Sequence, residues 1–405
     1  MPATAQAGSR GGKVRSDCWV SIEMRDSGGL EIELKSKVET LYGASIKSLA
    51  EEVLTTLGVE NAKVFIEDMG ALPFVLAARL EAAVKRCMPE NTAEYLPPLS
   101  PHATYKTQRD RFRRSRLYLP GNQPKFMINA GIHRPDGIIL DLEDSVAPQE
   151  KDAARILVRN ALRAVNFFGA ERMVRINQLP QGLMDLDYLI PHNVHVVLIP
   201  KCEGREQVVQ VQKKIEAIRG EHGLESEVYL MPIIESALGV IKAYEIATAS
   251  ENIVALTIGL EDYTADIGAE RTQNGRESFW ARCEVVNAAK AAGLQAIDSV
   301  FSDVSDMEGL RESVAEAKAL GFEGKGCIHP RQIKVIHEAF APTEKEIERA
   351  KRIVLAFERA EREGSGVVAL GSKMVDPPVV KRALRTVELA INIGMLNENW
   401  REEDE

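Results

Sequence analysis

The sequence contains no apolar run as long as the roughly 18 residues that a membrane-spanning helix needs. Its first residues, MPATAQAGSRGGKVRSD, lack the apolar stretch of a secretory signal. A formal charge of −9 disfavours binding to bulk nucleic acid or to an anionic membrane. These absences predict a cytoplasmic protein with neither a membrane nor a nucleic acid as partner.

Cysteine is scarce, and the five cysteines are widely spaced with no CxxC pair. This usage predicts reduced thiols, with no disulfide framework or zinc knuckle. The only HxxH, from His192 to His195, lies where a loop enters a strand, so its two rings are expected to diverge. The chain also lacks GxSxG, Walker A, GxGxxG and HExxH motifs, which leaves nucleophile, nucleotide and zinc-protease functions without support.

Residues 1–90 read as a small α+β domain. The first 15 residues are polar and rich in glycine, which predicts a mobile segment. Two alternating runs, CWVSIEM and LEIELK, flank DSGG and predict a hairpin. A helix (ASIKSLAEEVLTTLG), a strand (AKVFIED) and a second helix (PFVLAARLEAAVKRC) follow. Residues 91–112 are proline-rich and predict a linker, and the basic stretch from Lys106 to Arg116 predicts a mostly solvated face.

From residue 113 onward, short apolar runs alternate with helix-like segments. The eight runs are RLYLP, DGIILDL, ERMVRIN, HVVLIPK, VYLMPIIE, IVALTIGLE, QAIDSVF and KGCIHP. Eight mostly continuous apolar strands over roughly 225 residues predict an α/β fold, a (β/α)8 TIM barrel spanning 113–342. A doubly wound open sheet is the structural alternative. We expect a helical lid segment at 343–395 and an acidic tail at 396–405.

Charged and polar residues follow these strands. They are Asp141, Glu143, Asp144, Arg175, Asn177, Lys201, Glu235, Glu261, Asp262, Ser299 and His329. In a parallel barrel all strands end at one face, so these groups would converge there. Converging carboxylates repel one another and raise each other's pKa unless a cation relieves them. Glu235 and Asp262, on adjacent strands, are the predicted ligands of a magnesium ion, although each acid could instead cap the following helix.

The run LDLEDS holds three acids, Asp141, Glu143 and Asp144, where a buried strand ends. Either the strand surfaces there and the acids are solvated, or they hold a cation or a cationic side chain. The remaining function class is metal-assisted carbonyl chemistry on a carboxylate substrate.

Several segments of the chain resemble the citrate lyase β-subunit family, which includes citryl-CoA, malyl-CoA and citramalyl-CoA lyases. They are RSRLYLPGNQPK, DGIILDLEDSVAPQEKDAAR, VRINQL, LIPK, IIESALGV, IGLEDYTADIGAERTQNG, GFEGKGCIHPRQI and GSGVVALGSKMVDPPVV. The likeness covers about residues 113–390 in order. It implies a TIM barrel, usually in a trimer or hexamer, that cleaves a citryl thioester to oxaloacetate and an acetyl thioester with magnesium. Malyl-CoA and citramalyl-CoA lyases are the alternative activities.

The resemblance also implies roles for single residues. Glu235 in IIES and Asp262 in GLED match the magnesium ligands, and Arg175 in VRIN matches the arginine beside the reacting carbonyl. Glu143 in LDLED would hold that arginine, while its neighbours meet solvent or backbone. Arg116 and Lys125 match the thioester side of the pocket. Asp376 in KMVDPP matches an acid supplied by a neighbouring subunit.

The N-terminal unit is similar to the citrate lyase acyl carrier (γ) subunit, through LEIELKSKVETLYGASIKSLAEEVLTTLGVENAKVFIEDMGALPFVLAARLEAAVKR. That subunit bears a phosphoribosyl-dephospho-CoA group on a serine in a Gly-Thr-Leu-Glu-Ser segment. The corresponding stretch here is GGKVRSDCW, in which Ser16 takes the attachment position if one residue is missing, and Arg15 takes it otherwise. The implied partners are CoA thioesters and an α-subunit-like protein. A non-catalytic carrier or scaffold is the alternative of another class.

Overall fold

The computed structural model describes residues 3–362, 368–370 and 373–403. Its N-terminal part is a four-stranded sheet covered by two helices. The elements are β1 (Thr4–Gly8), β2 (Cys18–Met24), β3 (Leu30–Ser36), α1 (Glu39–Thr56), β4 (Ala62–Asp68) and α2 (Pro73–Cys87). The strand order is β1-β2-β4-β3. The first segment, predicted to be mobile, therefore contributes an edge strand in register with β2.

The predicted hairpin between CWVSIEM and LEIELK is wrong. The two segments form strands β2 and β3, but β4 lies between them and pairs antiparallel with β2 and parallel with β3. The side chains of Ala62, Val64 and Ile66 are fully buried along β4. A central strand so placed buries more apolar surface than an edge position would, and this non-local pairing outweighs the local turn signal.

Eight parallel strands close into a barrel, which confirms the predicted fold and excludes the open sheet. The strands are β5 (Ser115–Pro120), β6 (Gly137–Asp141), β7 (Glu171–Arg175), β8 (Val196–Ile199), β9 (Tyr229–Ile234), β10 (Ala255–Ile258), β11 (Gln295–Asp298) and β12 (Gly324–Cys327). Each of the eight apolar runs became one of these strands.

Helices follow the strands around the barrel. They are α3 (Pro124–Met127), α4 (Lys151–Ala164), α5 (Gly182–Leu189), α6 (Arg205–His222), α7 (Ala237–Ile241), α8 (Ala243–Ala247), α9 (Leu260–Asp266), α10 (Phe279–Ala291), α11 (Met307–Leu320) and α12 (Pro330–Phe340). Inside the barrel, apolar side chains such as Ile139, Met173 and Ile233 form a buried core. The carboxyl ends of the strands surround an open mouth, where the site lies.

Residues 91–112 do not form a free linker but pack along the amino-terminal end of the barrel. Tyr105 donates a hydrogen bond to the Ala170 carbonyl at 2.6 Å. The fully buried Arg113 donates two hydrogen bonds to Glu171, at 2.7 and 2.8 Å. The prediction of a solvated basic face is wrong at Arg113, because a carboxylate at the start of β7 supplies a buried partner.

Two histidines at this end of the barrel are buried in the neutral form. Burial and the nearby Arg163 lower the pKa of His192 to about 3. Burial and Arg172 lower the pKa of His195 to about 4. The Nδ1 atom of His195 accepts a hydrogen bond from the backbone N–H of Arg172 at 3.1 Å. A ring nitrogen can accept only when it carries no proton, so this bond requires the uncharged ring.

We expect the free energy of unfolding to fall as the pH drops from about 6.5 towards 4. Each histidine has a folded pKa below its unfolded value, so the unfolded state binds more protons in this window and gains stability. Each ring contributes up to about 1.4 kcal/mol per pH unit. Urea unfolding of the wild type and of His195→Gln, between pH 7.5 and 4.5, measures this, and the variant should decline less steeply. Parallel declines would contradict the assignment.

The chain divides into two compact units, Met1–Ile336 and His337–Glu405. The second contains α13 (Glu344–Arg362), β13 (Val368–Leu370), β14 (Lys373–Val375), α14 (Pro377–Asn392) and α15 (Trp400–Glu403). Its core packs Ile353, Val354, Val380 and Val387 around the fully buried Trp400. This segment is helical, as predicted. No helix among the described residues has the length and apolarity needed to cross a membrane, and all five cysteines are free thiols.

Candidate active site

A cavity of about 390 Å³ opens at the mouth of the barrel. Its walls include four of the residues to which the family resemblance gives a role: Arg116, Arg175, Glu235 and Asp262. Asp141, Asp144 and Tyr118 also line it. The cavity thus gathers side chains that are up to 212 residues apart in sequence, from Arg116 to Ile328.

Arg175, the last residue of β7, lies close to three carboxylates. It donates to both oxygens of Asp141, at 2.6 and 2.8 Å. Glu143 lies 3.0 Å and Asp144 3.6 Å from its Nη1 atom. Burial disfavours the charge of Arg175, but the contact with Asp141 outweighs burial and raises the pKa of the guanidinium. The arginine is therefore a permanent cation with a fixed orientation.

The expected contact between Glu143 and Arg175 is present, but Asp141 is the principal partner. The expectation that Asp141 meets only solvent or backbone is wrong, since Asp141 and Arg175 are paired residues at the ends of adjacent strands. Glu143 also accepts a hydrogen bond from the Gln178 amide at 2.9 Å. Burial raises the pKa of Glu143, although Arg175 and Gln178 favour its charged form.

Glu235 follows β9 and is only 4% exposed. One carboxylate oxygen accepts a hydrogen bond from the backbone N–H of Lys201 at 2.6 Å. The other packs against Gly259, where a Cβ atom would lie 2.5 Å from it, so only glycine leaves room for the carboxylate. Burial, together with Asp262, raises the pKa of Glu235 to about 8. A nearby cation would reverse that shift.

Neither predicted metal ligand caps a helix. The N-cap of α7 is Ser236, whose hydroxyl accepts from the Gly239 N–H at 3.1 Å. Asp262 lies within the first turn of α9, after an N-cap glycine that forms no side-chain cap. Asp262 is 40% exposed at its side chain and lies 3.5 Å from the Nζ atom of Lys201. The capping alternative is thus contradicted for both acids.

Lys201 is a site residue to which sequence reasoning gave no role. It lies just beyond β8 with a left-handed φ of +46°, a conformation that is rare for a residue with a side chain. Its Nζ atom is 3.6 Å from Glu143 and 3.8 Å from Asp144, besides the contact with Asp262. Lys201 therefore orients Glu235 through its backbone and screens three further acids through its ammonium group.

The donor set fits a hard divalent cation. Glu235 and Asp262 line the same cavity as four further acids (Asp141, Asp144, Glu261 and Asp298), so acidic side chains outnumber the two arginines that line it, Arg116 and Arg175. Within the described part of the chain, no three acidic, histidine or cysteine ligands converge on one point. Two carboxylates with further positions left for water and substrate oxygens is an arrangement typical of magnesium.

Arg116 and Lys125 lie in different places. Arg116 is buried inside the barrel, where it donates to the Thr257 hydroxyl at 2.9 Å, and its Nε atom has no hydrogen-bond partner among the described residues. Burial lowers the pKa of Arg116. Lys125 is exposed and lies over Phe126, 4.6 Å from the ring centre. Phe126 lines a second cavity of about 750 Å³ at the mouth.

The two remaining predicted residues are Ser16 and Asp376. Ser16 is half-buried in the loop between β1 and β2, with a left-handed φ of +56°, and its N–H donates to the Met69 carbonyl at 3.0 Å. Asp376 is exposed just before α14, where its carbonyl accepts from Val379 at 2.9 Å. It belongs to the second compact unit.

Family models match both parts of the first unit. The HpcH/HpaI aldolase/citrate lyase family matches residues 114–330. The malonate decarboxylase delta subunit family (MdcD), an acyl carrier family, matches residues 3–87. The resemblance found in the sequence is thereby confirmed for the barrel, and the N-terminal unit is acyl-carrier-like.

Proteins of similar sequence and structure support the same family. The chain is 42% identical to the citrate lyase subunit beta of Haemophilus influenzae, over 69% of this chain and 97% of that protein. It is 33% identical to the mitochondrial citramalyl-CoA lyase of Mus musculus, over 69% of this chain and 87% of that protein. Among solved structures, the CitE protein of Mycobacterium tuberculosis in complex with magnesium, acetoacetate and coenzyme A is 30% identical, with a TM-score of 0.55, covering 70% of this chain and 99% of that one.

Proposed function

We propose that this chain, which belongs to the HpcH/HpaI aldolase/citrate lyase family, is a magnesium-dependent carbon–carbon lyase that cleaves a citryl thioester to oxaloacetate and an acetyl thioester. The observation that supports it is the convergence of Glu235, Asp262 and Arg175 on one cavity at the barrel mouth. The similarity of the chain to citrate lyase β subunits at 42% identity, against 33% for a citramalyl-CoA lyase, favours the citryl substrate.

Glu235 and Asp262 would hold the magnesium ion, which supplies charge stabilisation to the hydroxyl and carboxylate oxygens of the substrate. The bond between the tertiary carbon and the thioester methylene breaks, so the hydroxyl loses its proton, becomes the keto group of oxaloacetate, and the methylene carbon gains a proton. Arg175, fixed by Asp141 and Glu143, stabilises the negative charge that develops on the departing fragment. Arg116 and Lys125 would contact the substrate on its thioester side.

An assay against citryl-CoA, citramalyl-CoA and malyl-CoA, with and without magnesium, tests this proposal. We expect the highest kcat/KM with citryl-CoA and loss of turnover when a chelator removes the ion, with recovery when magnesium is returned. Activity restricted to citramalyl-CoA or malyl-CoA would support the alternative lyases. Failure to cleave any of the three thioesters would contradict the proposal and favour a non-catalytic carrier or scaffold.

We also propose that Ser16 carries a phosphoribosyl-dephospho-CoA arm. The Ser16 hydroxyl oxygen would bond to phosphorus of an activated triphosphate form of the arm, releasing diphosphate and a proton. The half-buried position of Ser16 in a loop agrees with attachment there. Free citrate would then need a separate α-subunit-like acyl transferase to load the arm.

The chain is proposed to form a homo-oligomer, a trimer or hexamer, in the cytoplasm. Five large apolar side chains on α7, α8 and α10 are each at least 47% exposed: Leu238, Ile241, Tyr244, Phe279 and Trp280. Apolar patches of this kind mark association surfaces. In such an assembly Asp376 of one subunit would act at the site of a neighbour, as the acid that protonates the methylene carbon.

A further inference from the structure

The acyl-carrier-like domain is fixed to the barrel by buried polar contacts. Glu81 of α2 and Arg159 of α4 are both fully buried and share two hydrogen bonds, at 2.9 and 2.6 Å. The Asn160 amide of α4 donates to the Phe74 carbonyl of α2 at 3.2 Å. A charge left without its partner in a dry interface is costly, so these contacts favour one docked position.

Further contacts extend this interface along the whole of α2. Phe74 lies at its beginning and Glu81 at its middle, and Arg86 lies near its end. Arg86 donates two hydrogen bonds to Asp152, each 2.7 Å, and one to the Gln149 carbonyl at 2.8 Å. Three separated points of attachment prevent the domain from pivoting about any one of them.

One arginine joins the Ser16 loop to the mouth of the barrel. Arg79 is 1% exposed and donates two hydrogen bonds to Asp17, each 3.0 Å. The same guanidinium donates to the carbonyl of Asn122 at 2.9 Å. Asn122 follows β5, at the carboxyl end of the first barrel strand. Arg79 thus links Asp17, the residue next to Ser16, to the rim of the active-site mouth.

The Ser16 loop is itself held in place. The N–H of Met69 donates to the Asp17 carbonyl at 3.0 Å, beside the bond from Ser16 to Met69. Gly8, at the end of β1, leaves room for this approach, because a Cβ atom there would lie 2.0 Å from the Cys18 carbonyl oxygen and 3.1 Å from Arg79. The attachment loop therefore keeps its position against Arg79.

A passage lined by apolar and polar side chains leads from this rim to the candidate site. The cavity of about 750 Å³ is lined by Pro120 and Phe126, which flank Asn122 in sequence. It shares Tyr118 and Asp141 with the cavity that contains Glu235 and Asp262. An extended arm of amide and methylene groups suits such a lining.

From these contacts we infer that the substrate thioester is carried on Ser16 of the same chain and enters its own barrel while the carrier-like domain stays docked. Arg79 is a positioning residue that sets the start of the arm beside the passage. The inference rests on the proposed lyase function. It adds that the substrate of the lyase is a thioester presented in cis, that is, carried on the same chain whose barrel cleaves it. A carrier that moves between chains would not need the buried contact between Glu81 and Arg159.

A mixing experiment tests cis presentation. A Glu235→Gln chain that bears the arm is loaded with a citryl group on the arm's terminal thiol, and is co-assembled with unmodified wild-type chain, which has an intact barrel and no arm. Intact-mass measurement then follows each chain. We expect the citryl group to persist on Glu235→Gln in the mixture, while the loaded wild type alone converts it to acetyl. Conversion on Glu235→Gln at a rate within threefold of the wild type would overturn the inference.

A crosslink tests the fixed docking. In a chain with Arg86→Cys, Asp152→Cys, Cys87→Ser and Cys283→Ser, the two introduced thiols are joined by a short bis-maleimide after the arm's own thiol has been loaded with the citryl group. We expect the crosslinked chain to convert the citryl arm at no less than half the rate of the uncrosslinked chain, and a loss above tenfold would overturn docking during turnover. If the natural protein carries no arm, cis presentation fails while cleavage of free citryl-CoA persists. If the unmodified chain does not cleave free citryl-CoA with magnesium, the lyase proposal itself fails.

Discussion

Replacement of Glu235 by glutamine is expected to lower the kcat for citryl-CoA cleavage by about a thousandfold or more, equivalent to about 4 kcal/mol. Glutamine keeps the shape of the side chain and can still accept the hydrogen bond from Lys201. It removes the negative charge on which the proposed ion depends. Steady-state kinetics at saturating magnesium, with calorimetric titration of magnesium, measures both consequences.

The fold should not suffer from this replacement. Burial raises the pKa of Glu235 to about 8, so without a cation the side chain is already mostly uncharged at neutral pH, and a neutral amide should not decrease the urea midpoint. Glu227→Gln is the matched control, because Glu227 is an exposed acid that pairs with Arg219 before the other end of β9. We expect near-normal turnover from that control. Wild-type rates from Glu235→Gln would refute its assignment as a metal ligand.

Replacement of Arg175 by methionine should reduce both activity and stability. Turnover should fall by about 10²–10³, because the group that stabilises the developing negative charge is lost. The free energy of unfolding should fall by about 3–5 kcal/mol, because Asp141 stays buried without its cation. Steady-state kinetics measures the loss of turnover, and urea unfolding measures the loss of stability.

The double variant Arg175→Met, Asp141→Asn separates the two roles. Removing the carboxylate together with its partner leaves no bare charge at that pair, so much of the lost stability should return. Activity should not return, since the catalytic cation is still missing. Recovery of turnover in the double variant would mean that Arg175 serves only to neutralise Asp141.

The barrel could be predicted from the sequence because the patterns that specify its strands are local. Each strand is a short apolar run bounded by polar residues, and the rule that parallel strands end at one face brings Arg175, Glu235 and Asp262 together without any knowledge of contacts. The cavity that contains all three follows from that rule. The burial of Glu235 against Gly259 could not be foreseen, because it depends on the position of one backbone segment relative to another.

The missed features all depend on pairings distant in sequence. Strand β4 inserts between β2 and β3 because of its burial, which the turn at DSGG does not encode. Asp141 pairs with Arg175 because the ends of β6 and β7 are in register, a signal that aligning the two strand ends would have revealed. Arg113 is buried because Glu171 lies opposite it, 58 residues along the chain. Patterns within one segment contain no record of such partners.

The central claim is that Glu235 and Asp262 together hold a hard dication at the mouth of the barrel. The most direct measurement is anomalous diffraction at the manganese edge from crystals soaked in Mn²⁺ and oxaloacetate. The account predicts one peak about 2.0–2.3 Å from an oxygen of each carboxylate, with oxaloacetate beside it. A peak elsewhere, or none while the two side chains point away from each other, would contradict it.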